Sequence, residues 1–133
     1  LLTPNWHEAE ILLDTKLPER GDGEAAARQL LVDLELGAVL LKGGHLEGDA
    51  SDLLVWRSGS NDGGEIRSEW LPGERIAGPS VHGTGCALST AIAAGLAKGE
   101  SLRASVVEAR RYVKDAIRRA HTLASGARLL AFR

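Results

Sequence analysis

Gly37-Ala38-Val39-Leu40-Leu41-Lys42-Gly43-Gly44-His45 is where the architecture can first be read. Four apolar residues in a row, bounded by glycines and too few for a helix, read as a strand covered on both faces, as in a parallel sheet. Upstream, residues 24–35 carry Ala27, Leu30, Leu31 and Leu34 at helical spacing, and Gly37 is placed to end that helix. Further back, Leu1-Leu2 reads as the end of an earlier strand, and Pro4 holds Thr3 extended. Strand, helix, strand makes a crossover, hence parallel pairing and an α/β fold. Between the strands, Asn5 is a good N-cap for a helix over 6–13, and Glu8 stands at the capping-box spacing. That helix is expected to turn Ala9, Leu12 and Leu13 to one face and to end near Asp14, before a loop with Pro18 and Gly21.

Past His45 the hydrophobic period changes. Residues 53–57 and 65–71 flank Ser58-Gly59-Ser60-Asn61-Asp62-Gly63-Gly64, the pattern of a hairpin with a long loop, across which Trp56 and Trp70 are expected to pair. A short extended piece follows at 74–77. Val81-His82-Gly83-Thr84-Gly85-Cys86 then leads into a helix expected over 87–98, with Leu88, Ala91, Ile92, Gly95 and Leu96 as its apolar stripe and Gly99 as its C-terminal stop. A last helix, about 102–123, should turn Val106, Ala109, Val113, Ala116, Ile117 and Ala120 inward. Residues 125–133 carry no readable pattern.

Length and composition narrow the classes. At 133 residues the chain is one domain's worth. Its 44% hydrophobic and 26% charged residues are those of an ordinary folded domain. Sixteen Lys+Arg against eighteen Asp+Glu leave a formal charge of −2, which argues against binding nucleic acid or an anionic membrane by bulk charge. No apolar run approaches the ~20 residues of a membrane span. One cysteine permits neither an intrachain disulfide nor a Cys-x-x-Cys zinc site, and a reducing, cytoplasmic setting is expected. Methionine is absent and the chain opens on a strand's last residues, so it is expected to be a piece of something longer; removal of Met in processing is the alternative.

Three segments can carry chemistry, and each has a plainer reading beside it. In His82-Gly83-Thr84-Gly85-Cys86 two glycines let backbone approach a ligand closely. The helix behind them offers unsatisfied N–H groups and partial positive charge, a setting for phosphate. Cys86 would stand in the first turn, where the same field favours a thiolate; the plainer reading is a glycine turn with Cys86 as filler. Lys42-Gly43-Gly44 follows a buried strand, at the carboxyl edge where open α/β sheets bind ligands, and Lys42 can meet phosphate as a point charge. The alternative is a solvated lysine in a turn. Asn5 and Glu8, at another strand's carboxyl end, can hold Mg²⁺ through its waters, or can simply cap the helix. His7, His45, His82, His121 and Cys86 lack zinc spacing. A His82–Cys86 nucleophile pair lacks an orienting third group.

Thr3-Pro4-Asn5-x-x-Glu8-Ala9, then Val39-Leu40-Leu41-Lys42-Gly43-Gly44-His45, then His82-Gly83-Thr84-Gly85-Cys86-Ala87-Leu88-Ser89 resemble, in order and approximate spacing, the hydroxymethylpyrimidine/phosphomethylpyrimidine kinases of thiamin biosynthesis. The Ala109-Arg110-Arg111-Tyr112-Val113 helix is also similar to theirs. The resemblance implies a ribokinase-like (Rossmann-like) three-layer α/β/α fold with a mostly parallel sheet, partial here, plus a β-hairpin insertion. It implies a nucleotide-binding, carboxyl-terminal half over 1–124, with 125–133 as a tail, because the family's chain is about twice as long. The implied reaction is phosphoryl transfer from ATP, with Mg²⁺, to the hydroxymethyl group or existing monophosphate of a 4-amino-2-methylpyrimidine. In that scheme Gly83, Thr84 and Gly85 form the anion hole, and Cys86 stands where most ribokinase-like enzymes carry an aspartate base. Lys42, with Gly43 and Gly44, meets ATP phosphates, and Asn5 and Glu8 organise Mg²⁺. Ser80-Val81 depart from the family's usual Asn-Thr, and Gly126-Ala127-Arg128-Leu129 departs from its Gly-x-Gly-Pro ending.

The first functional expectation is therefore a phosphomethylpyrimidine kinase half, active with its other half in the same gene product or as a partner. The alternative is a kinase-shaped module without turnover, stabilised as a homodimer or by a partner, because a half sheet leaves an edge and an apolar face to cover. A cysteine-dependent hydrolase is third. Expected partners are the pyrimidine and ATP, with no nucleic acid and no membrane.

Overall fold

The computed structural model describes residues 1–43, 50–59, 64–79 and 81–132. Gly44, His45, Ser80 and residues 60–63 lie outside the described residues. The chain divides into two compact units, Leu1–Arg75 and Ile76–Arg133. No helix among the described residues is long and apolar enough to cross a membrane.

The first unit begins with helix α1 (Trp6–Leu13), bounded as its sequence predicts. The capping box forms: Asn5 Oδ1 accepts from the Glu8 amide at 2.8 Å and Glu8 Oε2 accepts from the Asn5 amide at 2.6 Å. The buried face is Trp6 and Ala9, while Leu12 is exposed, against expectation. Trp6, Ala9 and Leu13 share one stripe at the i, i+3, i+7 spacing and Leu12 falls to its side; the Trp6 indole N–H donates to the Leu17 carbonyl at 2.7 Å. Helix α2 (Asp22–Asp33) starts two residues earlier than its pattern indicates and buries Gly23, Ala26, Ala27, Leu30 and Leu31 on one stripe. Its stop is not Gly37. Glu35 takes the left-handed conformation (φ 50°), and the amides of Glu35 and Leu36 return to the carbonyls of Val32 and Leu31, so Leu34 points outward.

Strand β1 (Ala38–Leu41) is buried at all four positions, as expected of a strand covered on both faces. Parallel bridges join Leu2 to Val39 and Asn5 to Lys42, so the predicted crossover is present. On its other side β1 pairs antiparallel with β2 (Asp52–Ser58), which pairs antiparallel with β3 (Glu65–Leu71). The α/β class therefore holds, but most of the laddered pairing in this unit is antiparallel, because the hairpin joins the sheet beside β1. The register places Trp70 opposite Leu53 and Trp56 opposite Arg67. The two tryptophans are thus not cross-strand partners; instead the Arg20 guanidinium lies 4.2 Å over the Trp70 ring. Arg28 binds Glu24 Oε1 at 2.8 Å and the Ile66 carbonyl at 3.2 Å, tying α2 to β3.

In the second unit, β4 (Val81–His82) leads through Gly83 into α3 (Thr84–Ala97), and Ser101 caps α4 (Leu102–Arg118). Helix α3 begins three residues before the expected 87, and Gly99 is its left-handed stop at φ 84°. It buries Leu88 and Ile92, while Leu96 is exposed. α4 buries Ser105, Val106, Ala109, Val113 and Ala116 and ends earlier than 123, because the chain then forms β5 (His121–Thr122). The last residues are not without structure: β6 (Arg128–Leu129) pairs parallel with β4 and antiparallel with β5. Its two-residue pairing leaves no alternating pattern from which it could be read.

Candidate functional site

The first unit brings Asn5, Glu8 and Lys42 together. The Lys42 amide donates to the Pro4 carbonyl at 2.9 Å, which sets the end of β1 beside the Leu2–Asn5 segment that bridges to it in parallel. Asn5 then turns the chain into α1 and carries Glu8 toward the same edge. The Lys42 ammonium lies 3.8 Å from Glu8 Oε2, with the lysine side chain 20% exposed and the glutamate 54%. Both readings of Asn5 and Glu8 bear on this place, since the cap is formed and the carboxylate still faces the lysine and solvent. Among the described residues no three His, Cys, Asp or Glu stand close enough to cage a metal. One amide and one exposed carboxylate suit a hard cation that keeps most of its waters and meets a phosphate, and do not suit zinc.

The turn after Lys42 is held from the neighbouring strand. The Gly43 amide donates to Asp52 Oδ1 at 3.0 Å. A Cβ at Gly43 would collide with the carbonyl oxygen of Ser51, and a Cβ at Gly73 with that of Ala50. Backbone 50–52 therefore passes against both glycines, which explains Gly43 by close approach more directly than by ligand contact. Asp52 escaped the sequence reading because only the β1–β2 register brings it to Gly43.

The second unit contains the glycine segment. Gly83 has φ 85°, a left-handed conformation that favours glycine. No side chain caps α3 at that residue, so the amides of Thr84, Gly85 and Cys86 begin the helix without intrahelical partners. Cys86 is exposed in this first turn. Ser89 Oγ donates to the Gly85 carbonyl at 3.0 Å and steadies the turn. A cleft of about 1010 Å³, wholly within this unit, runs from His82, Gly83 and Cys86 along α3 to Tyr112 and Phe132. At the far end α3 and α4 approach closely: a Cβ at Gly95 would lie 2.7 Å from Ser105 Oγ. This is a packing reason for Gly95 that the apolar stripe conceals.

A model of the phosphomethylpyrimidine kinase family matches residues 1–130. The chain belongs to that family. It is 40% identical over 124 residues to the hydroxymethylpyrimidine/phosphomethylpyrimidine kinase of Streptomyces coelicolor, covering 93% of this chain and 43% of that relative. The fold is similar to that of Bacillus subtilis pyridoxal kinase, solved as an ADP complex (TM-score 0.82, 30% identity, 97% of this chain and 48% of the other). It is also similar to Staphylococcus aureus pyridoxal kinase with AMP-PCP and pyridoxal (TM-score 0.77, 27% identity, 98% and 46%). The ribokinase-like class expected from the motifs is thus the fold of this phosphomethylpyrimidine kinase family member. The chain spans less than half the length of each of these three proteins.

Proposed function

We propose that residues 1–124 are the nucleotide-binding half of a kinase that transfers the terminal phosphoryl group of ATP to 4-amino-5-hydroxymethyl-2-methylpyrimidine or its monophosphate, in thiamin biosynthesis. The observation that carries this reading is the start of α3: a left-handed Gly83, an uncapped helix end and an exposed Cys86 in one turn. Backbone amides aimed from a helix start stabilise the charge on a transferring phosphoryl group, and phosphoryl transfer is mostly positioning plus charge stabilisation. Family membership and relatives solved with ADP and an ATP analogue support a nucleotide as the ligand.

In this reading Gly83, Thr84 and Gly85 hold the phosphoryl oxygens, and Cys86 accepts the proton of the hydroxymethyl group as its oxygen attacks. Lys42 neutralises the ATP phosphates, with Gly43 and Gly44 as its nucleotide-binding neighbours. Asn5 and Glu8 would hold Mg²⁺, which would supply charge neutralisation on the phosphates. The pyrimidine contacts belong to the remainder of the kinase domain, in the same polypeptide or on a partner or second copy, and the reaction is cytoplasmic. The decisive test measures MgATP binding to this chain by calorimetry, and ADP release when hydroxymethylpyrimidine and the full-length kinase are supplied. Saturable MgATP binding and loss of turnover in Cys86→Ala are expected. A chain blind to MgATP, or a Cys86→Ala kinase with unchanged turnover, overturns the reading.

A further inference from the structure

We propose that Asp52 is a positioning residue for Lys42, acting through the Gly43 amide; this rests on the nucleotide reading above. Lys42 is fixed on one side, where its own amide donates to the Pro4 carbonyl at 2.9 Å. The β1–β2 ladder ends with Leu41 opposite Leu53, and one step further along that register Lys42 stands opposite Asp52. There a side-chain oxygen serves as acceptor: Asp52 Oδ1 takes the Gly43 N–H at 3.0 Å. Glycine at 43 is what lets the turn lie against the Ser51 carbonyl and bring its amide to that carboxylate. The chain leaving β1 is thereby held on both sides of Lys42, by Pro4 before it and Asp52 after it. A long lysine side chain has many rotamers and meets phosphate as a point charge, so its usefulness depends on where its backbone is anchored. Asp52 contributes that anchor through the backbone at Gly43.

The test compares Asp52→Ala and Asp52→Asn in the 133-residue chain, since Asn keeps an acceptor oxygen and loses the charge. Two readouts are taken, with the urea midpoint as a control for general unfolding. Hydrogen exchange at the Gly43 amide is expected to quicken by roughly tenfold or more in Asp52→Ala and to return near wild type in Asp52→Asn. MgATP affinity is expected to fall severalfold, and by no more than about tenfold, in Asp52→Ala, with Asn restoring it to within about twofold, since the worth of the single lost hydrogen bond bounds the ordering that nucleotide binding must then supply. Unchanged Gly43 exchange in Asp52→Ala overturns the proposal, as does undiminished MgATP affinity in that variant while Lys42→Ala loses binding. If the wild-type chain does not bind MgATP, the nucleotide reading falls and the proposed role of Asp52 falls with it. A loss of affinity that Asp52→Asn fails to restore also overturns the acceptor role.

Discussion

The Lys42 ammonium stands 3.8 Å from Glu8 Oε2, although the two residues lie on different elements of the first unit. The parallel bridge between Asn5 and Lys42 makes this meeting possible, because it sets the start of α1 beside the end of β1. The glutamate is open to solvent and the ammonium only reaches it at 3.8 Å, so the pair itself contributes roughly 0–1 kcal/mol to stability. Lys42→Ala should therefore leave the urea midpoint nearly unchanged and weaken MgATP binding by about tenfold or more, since a cation facing phosphate is removed. Calorimetry alongside denaturation checks both halves; a large stability loss with intact binding would reverse the assignment.

The capping role of Asn5 is tested by substitution. Asn5→Ala removes the acceptor for the Glu8 amide and should destabilise the first unit by about 1 kcal/mol. Asn5→Asp, which keeps an oxygen there, should fall within a few tenths of wild type. Trp6, Trp56 and Trp70 all lie in Leu1–Arg75, so tryptophan emission during urea unfolding reports on this unit.

Gly83 and Gly43 should respond differently to alanine. At Gly83 a Cβ meets nothing within 4 Å, and only the positive φ opposes it. Gly83→Ala is thus expected to cost about 1–2 kcal/mol, read as faster amide exchange along α3. At Gly43 the Cβ meets the Ser51 carbonyl, so Gly43→Ala must push backbone apart and should disturb the β1–β2 pairing in the tryptophan signal. The reverse order of severity would show that close approach is not what Gly43 provides.

Glu24 links stability of the first unit to pH. Its carboxyl is held below the usual carboxylate range, first by the Ser68 hydroxyl, then by Arg28. A folded-state value below the unfolded one gives stability that is present above the unfolded value and is lost as pH falls through the folded value. Glu24→Gln should therefore lower the urea midpoint at pH 7, and its gap from wild type should close as the medium is acidified below the ordinary carboxylate value of 4.5. A gap that is constant with pH would remove the carboxylate from this role. The group is half-exposed, so the effect is expected to be small and to shrink with salt.

Much of this protein was decided locally and could be read along the chain. The Asn5–Glu8 box depends on residues three apart, Ala38–Leu41 on four consecutive apolar residues, and Gly83 and Gly99 on conformations that one residue type favours. The motif order around Lys42 and Cys86 likewise carried the family. Long-range pairing decided the rest. Trp70 went to Arg20 because the hairpin register set it opposite Leu53, Glu35 displaced Gly37 as a helix stop, and Arg128–Leu129 became a strand only by finding β4 and β5. Asp52 is the clearest case: nothing in its neighbours along the chain distinguishes it, and only folding brings its oxygen to the amide beside Lys42. Local conformation depends on residues a few positions apart, whereas register and close backbone approach arise from burial shared by distant segments, which no short stretch of sequence encodes.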